Sequence, residues 1–180
     1  MVYDARMIDP AFGTLLCGAF ALLFASAAFH KARDLALFAQ MLRAYRILPE
    51  RPPLAGAIPA LELAVAAGLL LPPARVAAAA GGAALLLLYA LAIALNLQRG
   101  RRDLACGCGG ANERRPIAAW MVWRNLLLAA LLAAVVLPWA GRALEAVDLL
   151  TVAAGVAVAA LLYMSTERLL ARAALWEPRR

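Results

Sequence analysis

Two cysteines stand one residue apart in a basic, glycine-rich stretch, RRDLACGCGGANERR, at positions 101–115. The thiolate is the reactive form of cysteine, and nearby positive charge favours it. Four arginines flank Cys106 and Cys108 in this stretch. A disulfide across a single intervening residue closes a small, strained ring, and strained disulfides are the ones that exchange. The pair therefore suits thiol–disulfide transfer better than scaffolding.

Two other interpretations of Cys106 and Cys108 stay open. Two soft thiolates suit Cu(I), whereas a closed zinc site needs four ligands and the chain holds one histidine, His30. The pair can also be two small residues in a turn that has no chemistry. The third cysteine, Cys17, lies in an apolar run, and we expect it to be buried as a small hydrophobic residue.

The elements that must position this pair are membrane helices. Hydrophobic residues make up 66% of the 180 residues, charged residues 16%, and the mean hydropathy is +0.79. A soluble fold of this size has no core large enough for so much apolar surface, so the excess faces lipid. Five apolar runs are long enough to cross the hydrocarbon as helices, at 11–30, 54–71, 75–97, 117–138 and 144–164. The sequence predicts a single all-α membrane domain over residues 1–180.

A sixth helix is expected between the first two spans. The segment 31–48 is too charged to cross a bilayer, and its apolar residues recur at helical spacing with arginines among them. This pattern is typical of an amphipathic helix in the membrane interface, or of a short connector pressed against the bundle.

The distribution of positive charge predicts the orientation. With five spans, fourteen of the eighteen Lys and Arg residues fall on one side, three on the other, and Arg124 lies within a span. The positive-inside rule places the N-terminus outside, and the C-terminus and the cysteine segment in the cytoplasm, for a multi-pass protein of the bacterial inner membrane. The net charge of +7 then reflects topology and anionic lipid, since no nucleic-acid motif is present.

Polar residues in lipid are costly, so each needs a partner or a purpose. Six of them gather toward the same membrane face as the cysteine pair: His30, Lys31, Glu62, Asn96, Arg124 and Asn125. Glu62 and Arg124 lie about 12 and 10 Å from the inner ends of their spans, by the rise of a helix. We expect these two to form an ion pair, in a functional polar site or only as a bridge that fixes helix register.

Several segments, in order, resemble the MauE (methylamine utilisation protein E) family, which is related to DoxX-like four-helix membrane proteins. They are IDPAF, FHKARDLALFAQMLRAYRILP, IPALELAVAAGLLL, ALNLQRGRRDLACGCGG and WMVWRNLLLAALL, and they cover about residues 8–138. The family's loop commonly reads Cys-Gly-Cys-Phe-Gly, whereas Gly109 stands here in place of the phenylalanine. The resemblance implies a four-helix DoxX-like core with a fifth transmembrane helix.

The resemblance also implies a function. It implies a membrane thiol–disulfide component that works with a thioredoxin-like partner to mature a periplasmic client, the small subunit of methylamine dehydrogenase. Cys106 and Cys108 would be the redox pair, and the six polar residues its supporting site. A periplasmic client requires a thiol pair that faces the periplasm, whereas the positive-inside rule places the pair in the cytoplasm. Either the topology is inverted, or the pair exchanges electrons with a quinone or a second carrier.

Two further function classes stay open. One is a small copper-binding or copper-transport protein that holds Cu(I) between Cys106 and Cys108. The other is a non-catalytic membrane scaffold for a redox partner, in which the segment 31–48 matters and the cysteines do not.

Overall fold

The computed structural model describes residues 7–46, 54–104 and 116–173. Within these ranges the fold is all-α, as predicted, with six α-helices and no β-strand. The helices are α1 (Pro10–Arg33), α2 (Leu35–Tyr45), α3 (Leu54–Leu70), α4 (Arg75–Gln98), α5 (Ala119–Ala133) and α6 (Ala146–Ala173). Cys106 and Cys108 lie outside the described residues.

The lengths of the helices fit a multi-pass membrane protein. Four of them, α1, α4, α5 and α6, are long and apolar enough to cross a bilayer, two of these together with a short adjoining 3-10 turn. The remaining apolar helix, α3, has 17 residues. It is about 26 Å long by the helical rise, slightly shorter than the hydrocarbon core of about 30 Å. The multi-pass prediction is confirmed, and the count of five spans and the DoxX-like core stay predictions.

Four helices form the core of the bundle. Going around the bundle, α1 packs on α3, α3 on α4 and α4 on α5, and a smaller contact joins α5 back to α1. This order puts α3 and α5 diagonally across the bundle from each other. The long helix α6 packs on the outer side of α1, where Gly18 faces Val156 and Gly155 faces Leu15.

Small residues allow the core helices to approach closely. A Cβ added to Gly82 of α4 would meet Leu132 of α5 at 2.8 Å, and Phe24 of α1 and Val65 of α3 at 3.0 Å. All three of these neighbours are buried. Side chains from the three other core helices therefore converge on Gly82, which lies in a run of alanines and glycines at 77–84.

The ends of α1 and α6 differ from the predicted ones, because each helix continues past its apolar run into polar residues. Asp34 ends α1 and caps α2, because its carboxylate accepts the Leu37 N–H at 2.9 Å. The amphipathic helix is therefore α2, Leu35–Tyr45, and residues 31–33 belong to α1. The fifth predicted run ends at 164, whereas α6 continues to Ala173, because no proline or glycine interrupts it there.

The end of the bundle that holds the start of α1 is tied to the connector before α6. The Ile8 N–H donates to the Pro138 carbonyl at 2.9 Å. Asp9 caps α1 by accepting the Ala11 N–H, and it accepts two further hydrogen bonds from the Arg142 guanidinium, all at 2.8 Å. The hydrogen bonds from Arg142, and then the one from Ala11, hold the pKa of Asp9 below its usual range, so this carboxylate stays ionised.

The packing at Gly82 yields a test with a neighbouring control. Gly82→Ala should destabilise the folded protein by about 1–3 kcal/mol, because the new methyl group has no room between three helices. Gly81→Ala should be neutral or stabilise by up to about 1 kcal/mol, because its Cβ meets only Val65, at 3.9 Å, and alanine favours helix. Thermal unfolding of both variants in detergent measures the difference. Equal stability of the two variants would contradict the central packing of Gly82.

Candidate functional site

A buried ion pair joins α1 to α3. The Lys31 Nζ lies 2.5 Å from Glu62 Oε1, and the two side chains are 6% and 1% exposed. Glu62 lies on the face of α3 that also buries Val65 and Leu69, at the spacing of a helix. Charges so deeply buried are tolerated only when they are paired and hydrogen-bonded, so this contact fixes how α1 and α3 meet.

Two aromatic residues complete the surroundings of the pair. The Tyr89 hydroxyl of α4 donates to Glu62 Oε1 at 2.8 Å, so one carboxylate oxygen accepts from two helices. The Lys31 ammonium also lies 5.3 Å from the Tyr89 ring and 5.7 Å from the Phe38 ring of α2, within reach of cation–π attraction. Helices α1, α2, α3 and α4 thus meet at one polar cluster, which we define as Lys31, Glu62 and Tyr89.

One oxygen of this cluster keeps acceptor capacity. Glu62 Oε2 is buried and has no hydrogen-bond partner among the described residues. Most buried polar atoms have a hydrogen-bond partner, so a buried carboxylate oxygen without one needs an explanation, such as a water, an ion or a reacting group. The polar cluster therefore offers a buried carboxylate oxygen to a donor beyond its own three residues.

The expected Glu62–Arg124 ion pair is wrong. Arg124 Nη1 instead lies 2.7 Å from Glu167 Oε1 of α6, and its guanidinium lies 5.5 Å from the Trp120 ring. The two predicted partners have similar depth, but α3 and α5 stand diagonally across the bundle, and each charge pairs with a neighbouring helix instead. Arg124 therefore binds α6 to the bundle, while Lys31 supplies the cation for Glu62.

The two asparagines face the interior at the end of the bundle where α4 ends and α5 begins. Asn96 is 0% and Asn125 2% exposed, and the side-chain amide of each donates to the carbonyl four residues earlier, Ala92 for Asn96 and Met121 for Asn125. Asn96 Oδ1 also accepts from Arg101 at 3.1 Å. Both residues therefore lie at the polar end of the bundle, as predicted from their positions in the spans.

His30 differs from its neighbour Lys31. It is exposed, with its ring 6.0 Å from the Phe29 ring in an edge-on arrangement. Successive residues of a helix point about 100° apart, so Lys31 turns into the bundle while His30 turns out. This placement matches an interfacial anchor and keeps His30 apart from the polar cluster.

One face of α4 connects the polar cluster to the cysteine-bearing segment, residues 105–116. Tyr89, Ile93 and Asn96 recur at i, i+4 and i+7, so they stand one above another on successive turns. Ile93 packs with Ile117 and Met121 in a small apolar group. The Ile117 N–H donates to the Leu104 carbonyl at 2.9 Å. The two residues that flank the cysteine-bearing segment, Leu104 and Ile117, therefore meet at this end of the bundle, beside the face of α4 that carries Tyr89.

Three residues that make contacts in the candidate site could not be predicted from the sequence: Tyr89, Glu167 and Arg101. Tyr89 sits in an unbroken apolar run, where only its hydroxyl, which needs a partner when buried, could have indicated a role. Glu167 lies beyond the predicted end of the fifth span. Arg101 is one of several arginines in its stretch, and nothing in the residue order distinguishes it from Arg102.

Comparison with known proteins agrees with these features. The family model described as Methylamine utilisation protein MauE matches residues 9–140. The chain belongs to the MauE family. No solved structure matched the chain.

Individual relatives of this MauE-family chain carry the same name, Methylamine utilization protein MauE. The protein from Paracoccus versutus is 42% identical over 165 residues, covering 89% of this chain and 88% of the relative. The one from Methylophilus methylotrophus is 36% identical over 174 residues, covering 91% and 88%. The one from Paracoccus denitrificans is 40% identical over 117 residues, and that match spans 64% of this chain and 63% of the relative.

The buried pair can be tested with a double-mutant cycle. Lys31→Met and Glu62→Gln should each destabilise the protein by about 3–5 kcal/mol, because each leaves the charge of the remaining partner buried without an opposite charge beside it. The double variant should recover much of that loss. Unfolding in detergent measures all three, with Arg142→Gln as an exposed control expected to lose much less stability than either buried variant, because solvent screens the Arg142 ion pairs. Additive losses in the double variant would contradict direct coupling between Lys31 and Glu62.

Proposed function

We propose that this MauE-family protein is a membrane thiol–disulfide component in which Cys106 and Cys108 cycle between dithiol and disulfide. It supports maturation of a periplasmic enzyme of the methylamine dehydrogenase small-subunit type, together with a thioredoxin-like partner. The observation that carries the proposal is the buried Lys31–Glu62–Tyr89 cluster, at the end of the bundle where the cysteine-bearing segment begins and ends.

Chain connectivity supports the association of cysteines and cluster. Cys106 follows Leu104 by two residues, which keeps their Cα atoms within about 7 Å of each other. Leu104 packs against the apolar group of Ile93 and Ile117, and Ile93 stands one helical turn from Tyr89. These contacts support the proposal that the reactive pair and the polar cluster share one end of the bundle.

The exchange is balanced in atoms and electrons. A thiolate of the pair attacks the partner's disulfide and forms a mixed disulfide, and the second cysteine then displaces the partner's thiol. Two thiols of this chain become one disulfide, and the partner's disulfide becomes two thiols, which take up the two protons. With a quinone as acceptor, the same two electrons and two protons yield a quinol.

The polar cluster supplies proton handling for this exchange. The pair must lose thiol protons before attack, and a positioned carboxylate is a suitable acceptor. Glu62 is such a carboxylate, since Oε1 is held by Lys31 and Tyr89 while Oε2 is open to a further donor. Lys31 stabilises the negative charge of that carboxylate. The asparagines and the Arg124–Glu167 pair hold the surrounding helices.

We further propose that this end faces the cytoplasm of the bacterial inner membrane, in agreement with the distribution of lysine and arginine between the two sides. Redox equivalents then reach the periplasmic client through the bilayer, by a quinone or a second carrier. The methylamine-utilisation family to which the chain belongs supports this choice of client.

The cysteine pair is tested by complementation of a methylamine-using strain that lacks its own MauE protein. Cys106→Ser and Cys108→Ser should each abolish formation of active methylamine dehydrogenase, because neither variant can form the disulfide. Cys17→Ser should remain fully active, because Cys17 is buried in the apolar core of the bundle. The assay measures enzyme activity and the disulfide content of the small subunit, with membrane insertion of each variant checked by immunoblot.

Full activity of both single-cysteine variants would exclude the redox role and leave a scaffold. Loss of activity accompanied by one Cu(I) bound per wild-type chain, and none in the variants, would favour a copper site instead.

A further inference from the structure

We propose that Arg101 is a positioning residue that fixes the first end of the cysteine-bearing segment against both α4 and α2. The inference rests on the proposed function, because it concerns how the redox pair is held. Arg101 lies within the described part of the chain, five residues before Cys106.

The backbone before Arg101 is fixed by the way α4 ends. Gly100 adopts a left-handed conformation, φ +72°, which glycine tolerates without strain. Its N–H donates to the Leu97 carbonyl and the Arg101 N–H to the Asn96 carbonyl, both at 3.0 Å. This pair of bonds is the Schellman motif, which terminates a helix and reverses the chain. The side chain of Arg101 therefore starts from a defined position beside the last turn of α4.

The guanidinium then joins two helices. Its Nη1 donates to Asn96 Oδ1 at 3.1 Å, and its Nη2 donates to the Ala44 carbonyl at 2.7 Å. Asn96 is fully buried and held by its own hydrogen bond to Ala92, so it is a rigid acceptor. The Ala44 carbonyl belongs to the last turn of α2, where carbonyls lack helical partners and a positive charge is favoured.

The second end of the segment is fixed differently. Ile117 is 3% exposed, packs with Ile93 and Met121, and donates its N–H to the Leu104 carbonyl. These contacts attach both ends to α4 and α5. Within the described part of the chain, Arg101 supplies a direct hydrogen bond between the first end and α2, the helix whose Phe38 covers Lys31.

The fork of the guanidinium, more than its charge, suits this role. Two donors in one rigid plane reach Asn96 and Ala44 together, whereas a lysine ammonium is a point charge on a flexible stem. The neighbouring Arg102 carries the same charge but is exposed. Arg102 is therefore a matched control for any effect that depends on positive charge near the cysteines.

Pulsed electron–electron double resonance in liposomes measures the distance between two spin labels, and so tests the position of the cysteine-bearing segment directly. Spin labels are placed on Cys106 and on the exposed helix position Gln40→Cys, in a background with Cys17→Ser and Cys108→Ser. The parent should give a narrow distance distribution. Arg101→Gln and Arg101→Lys should both broaden it, and Arg102→Gln should leave it unchanged. Arg101→Lys keeps the charge and the apolar stem, so it tests the fork even if Arg101→Gln fails to fold.

The same arginine substitutions, in the chain with all three native cysteines, are compared in the maturation assay. Arg101→Gln and Arg101→Lys should lower the yield of active enzyme by up to about a hundredfold, the scale of loss that misplacement of a reacting group produces. Arg102→Gln should mature the enzyme normally.

An unchanged distance distribution in the Arg101 variants would overturn the inference, as would equal broadening by Arg102→Gln. A parent-like Arg101→Lys would reduce the role of Arg101 to charge and also overturn it. Broadening with normal maturation would overturn the positioning role while the loss of activity in Cys106→Ser keeps the proposed function. Full activity of Cys106→Ser would instead refute the proposed function, whatever the distances show.

Discussion

The buried pair of Lys31 and Glu62 is the contact on which the arrangement of this bundle depends. A carboxylate and an ammonium that are almost wholly removed from water must stay together, so α1 and α3 have little freedom to rotate against each other. Tyr89 extends the constraint to α4 through the same carboxylate oxygen, and Phe38 extends it to α2 through the ammonium. Apolar packing around Gly82 sets how closely the helices approach, and the polar cluster sets which faces meet.

Helix α4 carries this constraint to the cysteine-bearing segment. Tyr89, Ile93 and Asn96 occupy successive turns of one face. Tyr89 belongs to the polar cluster, Ile93 to the apolar group with Ile117 and Met121, and Asn96 accepts from Arg101. In the proposed function, Glu62 takes up the thiol proton that disulfide exchange releases, so that proton movement is coupled to the exchange. The Arg124–Glu167 pair attaches α6 to α5, which accounts for a charged residue within an apolar span.

The sequence predicts the class of fold well because lipid leaves little choice: long apolar runs must be helices, and costly polar residues must face the interior. Lys31, Glu62, Asn96 and Asn125 are found inside for that reason. The predicted Glu62–Arg124 ion pair is wrong, because the sequence shows how deep a residue lies along its helix but not the order of the helices around the bundle. The parts played by Tyr89 and Arg101 depend on that order, so they emerge only from the fold.

The central claim is that Cys106 and Cys108 form a redox pair in the living cell. Cells that carry Cys17→Ser are quenched with acid, and free thiols are then alkylated with a polyethylene glycol maleimide. On a gel, a chain with the disulfide carries no label, and a chain with two thiols is shifted by two labels. The account predicts that unlabelled chains, in which the pair is a disulfide, coexist with doubly labelled ones, and that prior reduction converts them all to the doubly labelled form. Two labels on every chain under all growth conditions, without reduction, would contradict it.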